Sequence, residues 1–307
     1  MSNRFIMLVG LPGSGKSDFA NSLQGWKVHS SDKLREDLFG DENDQSHNDE
    51  LFEELHRRIK EDLSVGKNVV YDATNINKKR RISFLKEIKR FNCEKECVLV
   101  LTPYNSCMCF NTYRTKVVPK EVIDRMYKNF QPPHKSEGWD KITIYQNFSN
   151  AEIDNMTLYN LFEGENNINN FDQKNSHHLL TLGMHCQIAG CYIVGLTDDK
   201  LLETAALLHD IGKVFTQSKL NSKGEDDGDY HYYQHHCVGA YDSLFYTYNM
   251  GYTTEEMLHV SNLIYYHMHP YMSWKQSEKA REKDRKILGD NMIREIDILH
   301  KADAFAH

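Results

Sequence analysis

No stretch of the 307 residues approaches the ~18–20 consecutive apolar residues that a membrane span needs. No secretory leader is expected either. The first residues run directly into Ile6–Val9, which is too short and wrongly flanked for one. The reading is therefore neither membrane-spanning nor secreted, and a cytoplasmic location is expected. The seven cysteines are odd in number and contain no C-x-x-C pair, and Cys107 and Cys109 are too close together for a usual zinc knuckle. Reduced thiols are the expectation. No internal repeat and no low-complexity tail is visible.

The chain is about twice the ~150 residues of one domain, so two domains are expected. A hydrophobic share of 40% and a charged share of 26% are ordinary for a chain with a real core. Charge is unevenly distributed. Residues 1–150 hold 24 Lys and Arg against 21 Asp and Glu, net +3, and residues 151–307 hold 13 against 23, net −10. Twelve of the 16 histidines lie in the second half. A basic half suits phosphate-rich ligands. A half rich in imidazole and carboxylate suits a metal.

Ile6–Val9, Asn68–Tyr71 and Cys97–Leu101 are strand-like, and they alternate with the helical spacing of Lys16–Leu23, Asp49–Leu63 and Lys78–Arg90. Such alternation predicts an α/β domain with a parallel sheet and flanking helices over 1–150. An Asn-rich stretch, 151–175, reads as a linker. From 176 to 307 the chain reads as an all-α domain without strands, with helices at Leu179–Val194, Asp199–His209, Cys237–Tyr248, Thr254–His267 and Ile287–Phe305.

Two patterns carry chemistry. Gly10-Leu-Pro-Gly13-Ser14-Gly15-Lys16-Ser17 is a complete G-x-x-x-x-G-K-S between a strand and a helix. Its backbone N–H groups would wrap a β-phosphate, Lys16 would reach the β/γ-phosphates, and Ser17 would ligate Mg²⁺. Asp32 follows at the end of a second strand. There a carboxylate can take the proton of an attacking hydroxyl, or simply cap the helix that follows. Arg35, one turn on, can hold an acceptor phosphate. Lys78–Arg81 would follow a nucleic-acid backbone or form a solvated face. In the second half, His209-Asp210-Ile-Gly-Lys213 ends an apolar helix. Candidate co-ligands are His177, His178, His185, His235, His236, His267, His269 and Asp303. Such N/O ligands suit Mn, Co, Ni, Zn or Fe.

The loop, Ser31-Asp32-Lys33-Leu34-Arg35 and Asp72-Ala73-Thr74-Asn75-Ile76-Asn77-Lys78-Lys79-Arg80-Arg81 together resemble the 5′-hydroxyl polynucleotide kinases of phage RNA repair and the wider P-loop kinase group. Thr115–Pro119 and Val122–Tyr127 are similar to that family's lid and post-lid helix. The resemblance implies ATP or another NTP with Mg²⁺, held by Gly10, Gly13, Ser14, Gly15, Lys16, Ser17, Asp72, Asn75 and Arg114. It implies Asp32 as general base, Arg35 on the acceptor's 3′-phosphate, and lid cations at the transferring phosphoryl. The family's lid has two arginines. Here Arg114 is present, Phe110 or Asn111 stands near where the other is expected, and Lys116 would share the role. The order H…HD…H…H…D is similar to the HD superfamily of metal-dependent phosphohydrolases. That resemblance implies His185, His209, Asp210 and Asp303 on a first ion, His235 and His267 on a second ion or the phosphate, and Lys213 on the phosphate.

The expectation is an enzyme that phosphorylates 5′-OH ends of nucleic acid, RNA favoured, and opens or removes 2′,3′-cyclic phosphate, with an RNA ligase acting downstream. The alternatives are a small-molecule kinase fused to an HD nucleotidase, and an NTP-sensing module that regulates the phosphohydrolase. The chain stops four residues past Asp303, so the last helix is expected to be short or the sequence a piece of a longer protein with a ligase domain beyond.

Overall fold

The computed structural model describes residues 3–40, 46–115, 117–165, 167–174 and 179–307. Lys116, His177 and His178, named above, lie outside these residues. Two compact units emerge, one formed by Met1–Met126 with Pro133–Glu152, the other by Tyr127–Pro132 with Ile153–His307.

In the first half run β1 (Asn3–Val9), α1 (Lys16–Ser22), β2 (Lys27–Ser30), α2 (Ser31–Phe39), α3 (Asn48–Ser64), β3 (Val69–Asp72), α4 (Lys78–Ile88), β4 (Cys93–Leu101), α5 (Tyr104–Thr112), α6 (Lys120–Tyr127) and β5 (Lys141–Gln146). The strands form one parallel sheet in the order β2-β3-β1-β4-β5. Phe5–Val9 are all buried, as a central parallel strand covered on both faces requires. Because β1 lies between β3 and β4, the loop leaving its carboxyl end opens at the point where strand order reverses, the place where open α/β sheets bind ligands. β5 was not legible as a strand. It is a half-exposed edge whose Lys-Ile-Thr-Ile-Tyr-Gln alternation is weaker than a continuous apolar run.

The second half holds α7 (Asn150–Ile153), α8 (Leu158–Glu163), α9 (Leu182–Val194), α10 (Lys200–Leu208), α11 (Lys213–Thr216), β6 (Ser218–Leu220), β7 (Asp226–His231), α12 (His235–Asn249), α13 (Thr254–Tyr266), a π-turn at Pro270–Trp274, α14 (Glu278–Leu288) and α15 (Asp290–Phe305). α9, α10, α13 and α15 bury a common core around Ile193, Ala205, Leu263 and Ile296. The fold class is thus as read: a parallel α/β unit followed by a helical one.

Three details differ from the sequence reading. The 151–175 stretch does not behave as a linker, since Leu161, Phe162 and Ile168 are buried in the helical core. Its asparagines make turns; Asn169 Nδ2 donates to the Phe162 carbonyl at 2.7 Å and Asn167 Nδ2 to that of Gly164 at 2.6 Å. The helical half also contains an antiparallel hairpin, β6–β7, whose Asp-Asp-Gly-Asp-Tyr-His strand has no apolar alternation to reveal it. The charged helix α14, absent from the sequence reading, has no fully buried residue and packs against the helical core through Ala280 and Leu288.

The seven cysteines are free. Among the described residues no helix is long and apolar enough to cross a membrane.

In the second unit Tyr127 donates its hydroxyl to Asp242, and its ring packs edge-on against Phe215 and Tyr241. Burial pushes the Asp242 carboxyl up to about 7, against the opposing pull of the Tyr127 hydrogen bond. A carboxyl with a folded-state value above its unfolded one favours folding while protonated, and that contribution is lost as pH rises toward 7. Asp242→Asn keeps the acceptor and removes the charge. The variant is expected to melt above wild type at pH 8, by about 2–4 °C if the relief is on the order of 1 kcal/mol. The two curves should converge only below about pH 4, where the unfolded carboxyl is protonated as well. Parallel melting curves across that range would contradict this.

Candidate active sites

The first site starts at the loop after β1. Gly15 takes the left-handed conformation at φ 85° as N-cap of α1, and a Cβ there would come within 2.4 Å of Asn147 Nδ2. That approach is useful, because Asn147 Nδ2 and Thr102 Oγ1 both donate to the Ser14 carbonyl, at 3.0 and 2.9 Å, tying the loop to the ends of β5 and β4. Ser14 itself is fully buried. Gly10 N donates to the Thr74 carbonyl at 3.1 Å, and Gly13 is also left-handed. The loop is therefore braced from three strands before any ligand arrives.

A cleft of about 760 Å³ opens beside it, lined by Lys16, Ser17, Asp72, Asp32, Arg35 and Arg114 among others. Lys16 Nζ donates to the Leu11 carbonyl at 2.7 Å. Burial lowers its pKa, while Asp72 and Asp32 pull the other way. Ser17 Oγ donates to Asp72 Oδ2 at 2.8 Å. Burial raises the Asp72 carboxyl, with Lys16 and Ser17 opposing. A hydroxyl and a carboxylate converging behind a phosphate loop are oxygen donors of the kind Mg²⁺ takes, so the residues present fit that ion.

Asp32 does not cap α2. The N-cap is Ser30, without a side-chain cap, and Asp32 lies in the first turn. Its carboxylate faces the cleft, with Arg114 Nη2 at 3.0 Å on Oδ2 and Arg35 Nη1 at 3.4 Å on Oδ1. Of the two residues near which the resemblance expects a second lid arginine, Phe110 lines the cleft and Asn111 is buried. Asn111 exchanges two hydrogen bonds with the main chain of Val118, at 2.8 and 3.0 Å. Asn75, expected at the nucleotide, is not brought to the cleft. From a left-handed φ of 45° its amide donates to the Leu8 carbonyl at 2.8 Å, and Thr74 lines the cleft instead. The basic cluster is split as well. Arg81 is buried in a two-pronged pair with Glu137 at 2.7 Å and Lys78 is buried, leaving only Lys79 and Arg80 exposed.

The second site lies in the helical unit. Four histidines share one device: each Nδ1 faces a main-chain carbonyl, which can only accept, so the proton sits on Nδ1. The pairs are His185 with Ala306 at 3.1 Å, His209 with Ala206 at 2.7 Å, His235 with Tyr232 at 2.8 Å and His267 with Ile264 at 2.6 Å. This leaves the four Nε2 atoms aimed inward. His209 and His267 stand at the C-terminal ends of α10 and α13, and His235 opens α12. Gly212 allows these elements to meet; a Cβ on it would lie 2.1 Å from the His235 carbonyl.

The donors form two groups, His185, His209, Asp210 and Asp303, and Asp210, His235 and His267. Asp210 belongs to both. Its Oδ2 lies 3.3 Å from His185 Nε2 and 3.5 Å from His209 Nε2, and its Oδ1 3.2 Å from His235 Nε2 and 3.7 Å from His267 Nε2. Such separations are what ~2.0–2.2 Å metal–ligand bonds impose on adjacent ligands. His185 Nε2 also faces His209 Nε2 at 3.1 Å, and His235 Nε2 faces His267 Nε2 at 3.2 Å. Where Nδ1 carries the only proton, as on His267, a lone pair is turned on the facing ring, an arrangement that a cation between the two relieves; in the first group a proton on His185 Nε2 can take that place. The residues therefore fit one or two divalent ions.

Charge follows the same geometry. Burial opposes protonation of His185, but Asp210 and Asp303 outweigh it and raise the group to about 9. Burial and the neighbouring His235 and His209 lower His267 to about 3. Despite burial, Lys213 and His209 hold Asp210, and His185 and His209 hold Asp303, well below the usual carboxylate range. Lys213 Nζ lies 2.7 Å from Asp210 Oδ2. His269 is turned away onto Asp284 at 2.8 Å, so His267 is the member of that pair in the centre.

Some site residues escaped sequence reasoning. Asn147 follows the unseen edge strand. Gln173, buried in the supposed linker, accepts from Lys213 Nζ at 2.8 Å. Tyr271, in the π-turn, is held protonated by burial and by Asp303. No spacing or motif announced any of the three.

Residues 5–133 match the AAA domain family, and residues 176–306 match the HD domain family. The chain is similar to the L-seryl-tRNA(Sec) kinase of Methanococcus maripaludis, with 26% identity over 143 residues, 44% of this chain and 55% of that protein. Among solved structures it resembles a chain of the Pnkp1/Rnl/Hen1 RNA repair complex, with 21% identity, TM-score 0.35, and coverage of 41% of this chain and 43% of that one. It also resembles a gluconokinase from Sinorhizobium meliloti 1021, with 16% identity, TM-score 0.35, and coverage of 48% and 86%. The chain thus spans only about half the length of the archaeal kinase and less than half of the repair-complex chain.

Proposed function

We propose that this chain, an AAA-family P-loop domain followed by an HD domain, prepares both ends of broken RNA for joining. The P-loop domain would transfer the γ-phosphoryl group of ATP or another NTP to a 5′-hydroxyl. The HD domain would hydrolyse the 2′,3′-cyclic phosphate at the other end. The observation that carries this reading is the presence of two self-contained centres for phosphoryl chemistry on one chain. Lys16, Ser17 and Asp72 face Asp32 in one, and six His and Asp donors meet in the other.

In the kinase cleft Asp32 accepts the proton as the 5′ oxygen bonds to phosphorus and the NDP departs. Arg114 and Arg35 hold that carboxylate in place, and Arg35 binds the phosphate on the acceptor's 3′ side. Lys16 swings from the Leu11 carbonyl to the β- and γ-phosphates. Asn75 keeps the β1–β3 junction in register and does not touch the nucleotide. In the HD centre His185, His209, Asp210 and Asp303 would hold one ion, and Asp210, His235 and His267 a second. When bound, such ions polarise a phosphoryl oxygen and make an attacking water more acidic. Lys213 presents a cation to the substrate phosphate, and Gln173 fixes its direction. The products, a 5′-phosphate and an opened 3′ end, are what a ligase consumes, so an RNA ligase is the partner this chemistry calls for.

A second reading, a small-molecule kinase fused to a nucleotidase, draws on Asn111, which stands near where a second lid arginine was sought. One incubation separates the two. RNA with a 5′-OH and a 2′,3′-cyclic phosphate is treated with ATP, Mg²⁺ and Mn²⁺, and both ends of the product are mapped. A new 5′-phosphate and loss of the ring are expected. Phosphorylation of nucleosides or metabolites with both RNA ends untouched would replace the proposal by the second reading.

A further inference from the structure

The kinase cleft extends beyond what the reacting hydroxyl requires. Its far wall comes from α3 and α4, which supply nothing to the chemistry above. Asn48 and Phe52 are four residues apart on α3 and so stand on one face, one turn apart. Asn48 Oδ1 accepts from Arg35 Nη2 at 3.1 Å. The Arg80 guanidinium of α4 lies 5.9 Å from the centre of the Phe52 ring. Arg35, Asn48, Phe52 and Arg80 line the same cleft as Asp32.

Two features separate this wall from ordinary surface. Nearby arginines are neutralised. Arg57 and Arg58 pair with Glu54, and Arg81 with Glu137. Among the described residues no carboxylate pairs with Arg80, which is exposed. Phe52 is only half-buried, unlike Leu51 and Leu55 beside it, which are buried. A half-open ring flanked by an unneutralised guanidinium is a platform for an unpaired base and its phosphate.

We infer that the α3–α4 wall is a second acceptor subsite, taking the nucleotide next to the one that carries the 5′-hydroxyl. Phe52 stacks under its base and Arg80 meets the phosphate that follows it, while Arg35, steadied by Asn48, holds the phosphate between the two nucleotides. This rests on the reading of the cleft as a polynucleotide 5′-kinase and deepens it, because a nucleoside or a sugar would end at Arg35. The ligand class is single-stranded oligonucleotide of at least two units, with little sequence preference.

The test compares KM and kcat for a 5′-OH trinucleotide and a nucleoside 3′-monophosphate in the full chain. Phe52→Ala or Arg80→Ala is expected to raise the ratio of the trinucleotide KM to the mononucleotide KM by about 5- to 150-fold, the range that losing one base stack spans. The trinucleotide kcat should stay close to wild type. Phe52→Tyr, which restores a ring, should restore the ratio and guards against a folding defect in the alanine variant. An unchanged ratio in both alanine variants, or a loss confined to kcat, overturns the subsite and leaves the kinase reading standing. A wild-type protein that phosphorylates neither acceptor overturns both.

Discussion

Asp210→Asn is expected to abolish phosphohydrolase activity and to remove both metal sites at once. Its two carboxylate oxygens serve two donor groups, Oδ2 toward His185 and His209, Oδ1 toward His235 and His267. An amide keeps the shape but offers one neutral oxygen in place of a bridging anion. The loss should exceed about 10³-fold, beyond the ~10–100-fold cost of losing an outer-shell partner. Asp303 and His267 each sit in only one group, so Asp303→Asn and His267→Ala should each lose a single metal equivalent. Elemental analysis of the purified variants, with hydrolysis of a chromogenic phosphodiester, reads both effects. If Asp210→Asn and Asp303→Asn lose the same one equivalent, the shared carboxylate is wrong. A melting curve belongs beside these measurements. Lys213 is buried against Asp210, and an uncompensated buried charge costs about 3–5 kcal/mol.

The parts of these sites that could be read from the sequence are those whose chemistry demands a fixed local spacing. The phosphate loop must place its lysine and serine one residue apart at a helix start, and the His-Asp pair must end a helix, so both are written in contiguous residues. The buried strands β1, β3 and β4 announce themselves because parallel strands covered on both faces read as near-continuous apolar runs. What stayed hidden depends on contacts made across the fold. Asn147 reaches the Ser14 carbonyl from 133 positions away, and Gln173 reaches Lys213 from 40. Their residue types are common in turns, and nothing local distinguishes them. The choice between His267 and His269 could not be made from spacing either. Two residues subtend about 200° on a helix, so only one can face a given centre, and the other finds Asp284. Arg81 shows the opposite error: charge alone suggested a surface, while Glu137 and the Asn75 carbonyl had claimed the guanidinium for the interior.

Asp32→Asn is expected to slow phosphoryl transfer by about 10²- to 10⁴-fold while NTP still binds, because the side chain keeps an oxygen for Arg114 but can no longer take a proton. Lys16→Ala should differ in kind. It removes the cation that meets the phosphates, and so should weaken NTP binding as well as transfer. It also strips buried Asp72 of the charge that most opposes its raised value, which should drive that carboxyl further toward the neutral form and weaken its grip on Mg²⁺. Calorimetric titration with a non-hydrolysable NTP separates the two variants. Single-turnover transfer to a 5′-OH oligonucleotide then reports the chemical step alone. The HD reaction serves as the folding control, since its donor groups come entirely from His185–Asp303. If Asp32→Asn transfers as fast as wild type, Asp32 is not the base. If neither wild type nor variant transfers at all while both bind NTP tightly, the P-loop domain acts as a nucleotide sensor, and the proton acceptor argued from Asp32, Arg35 and Arg114 has no reaction to serve.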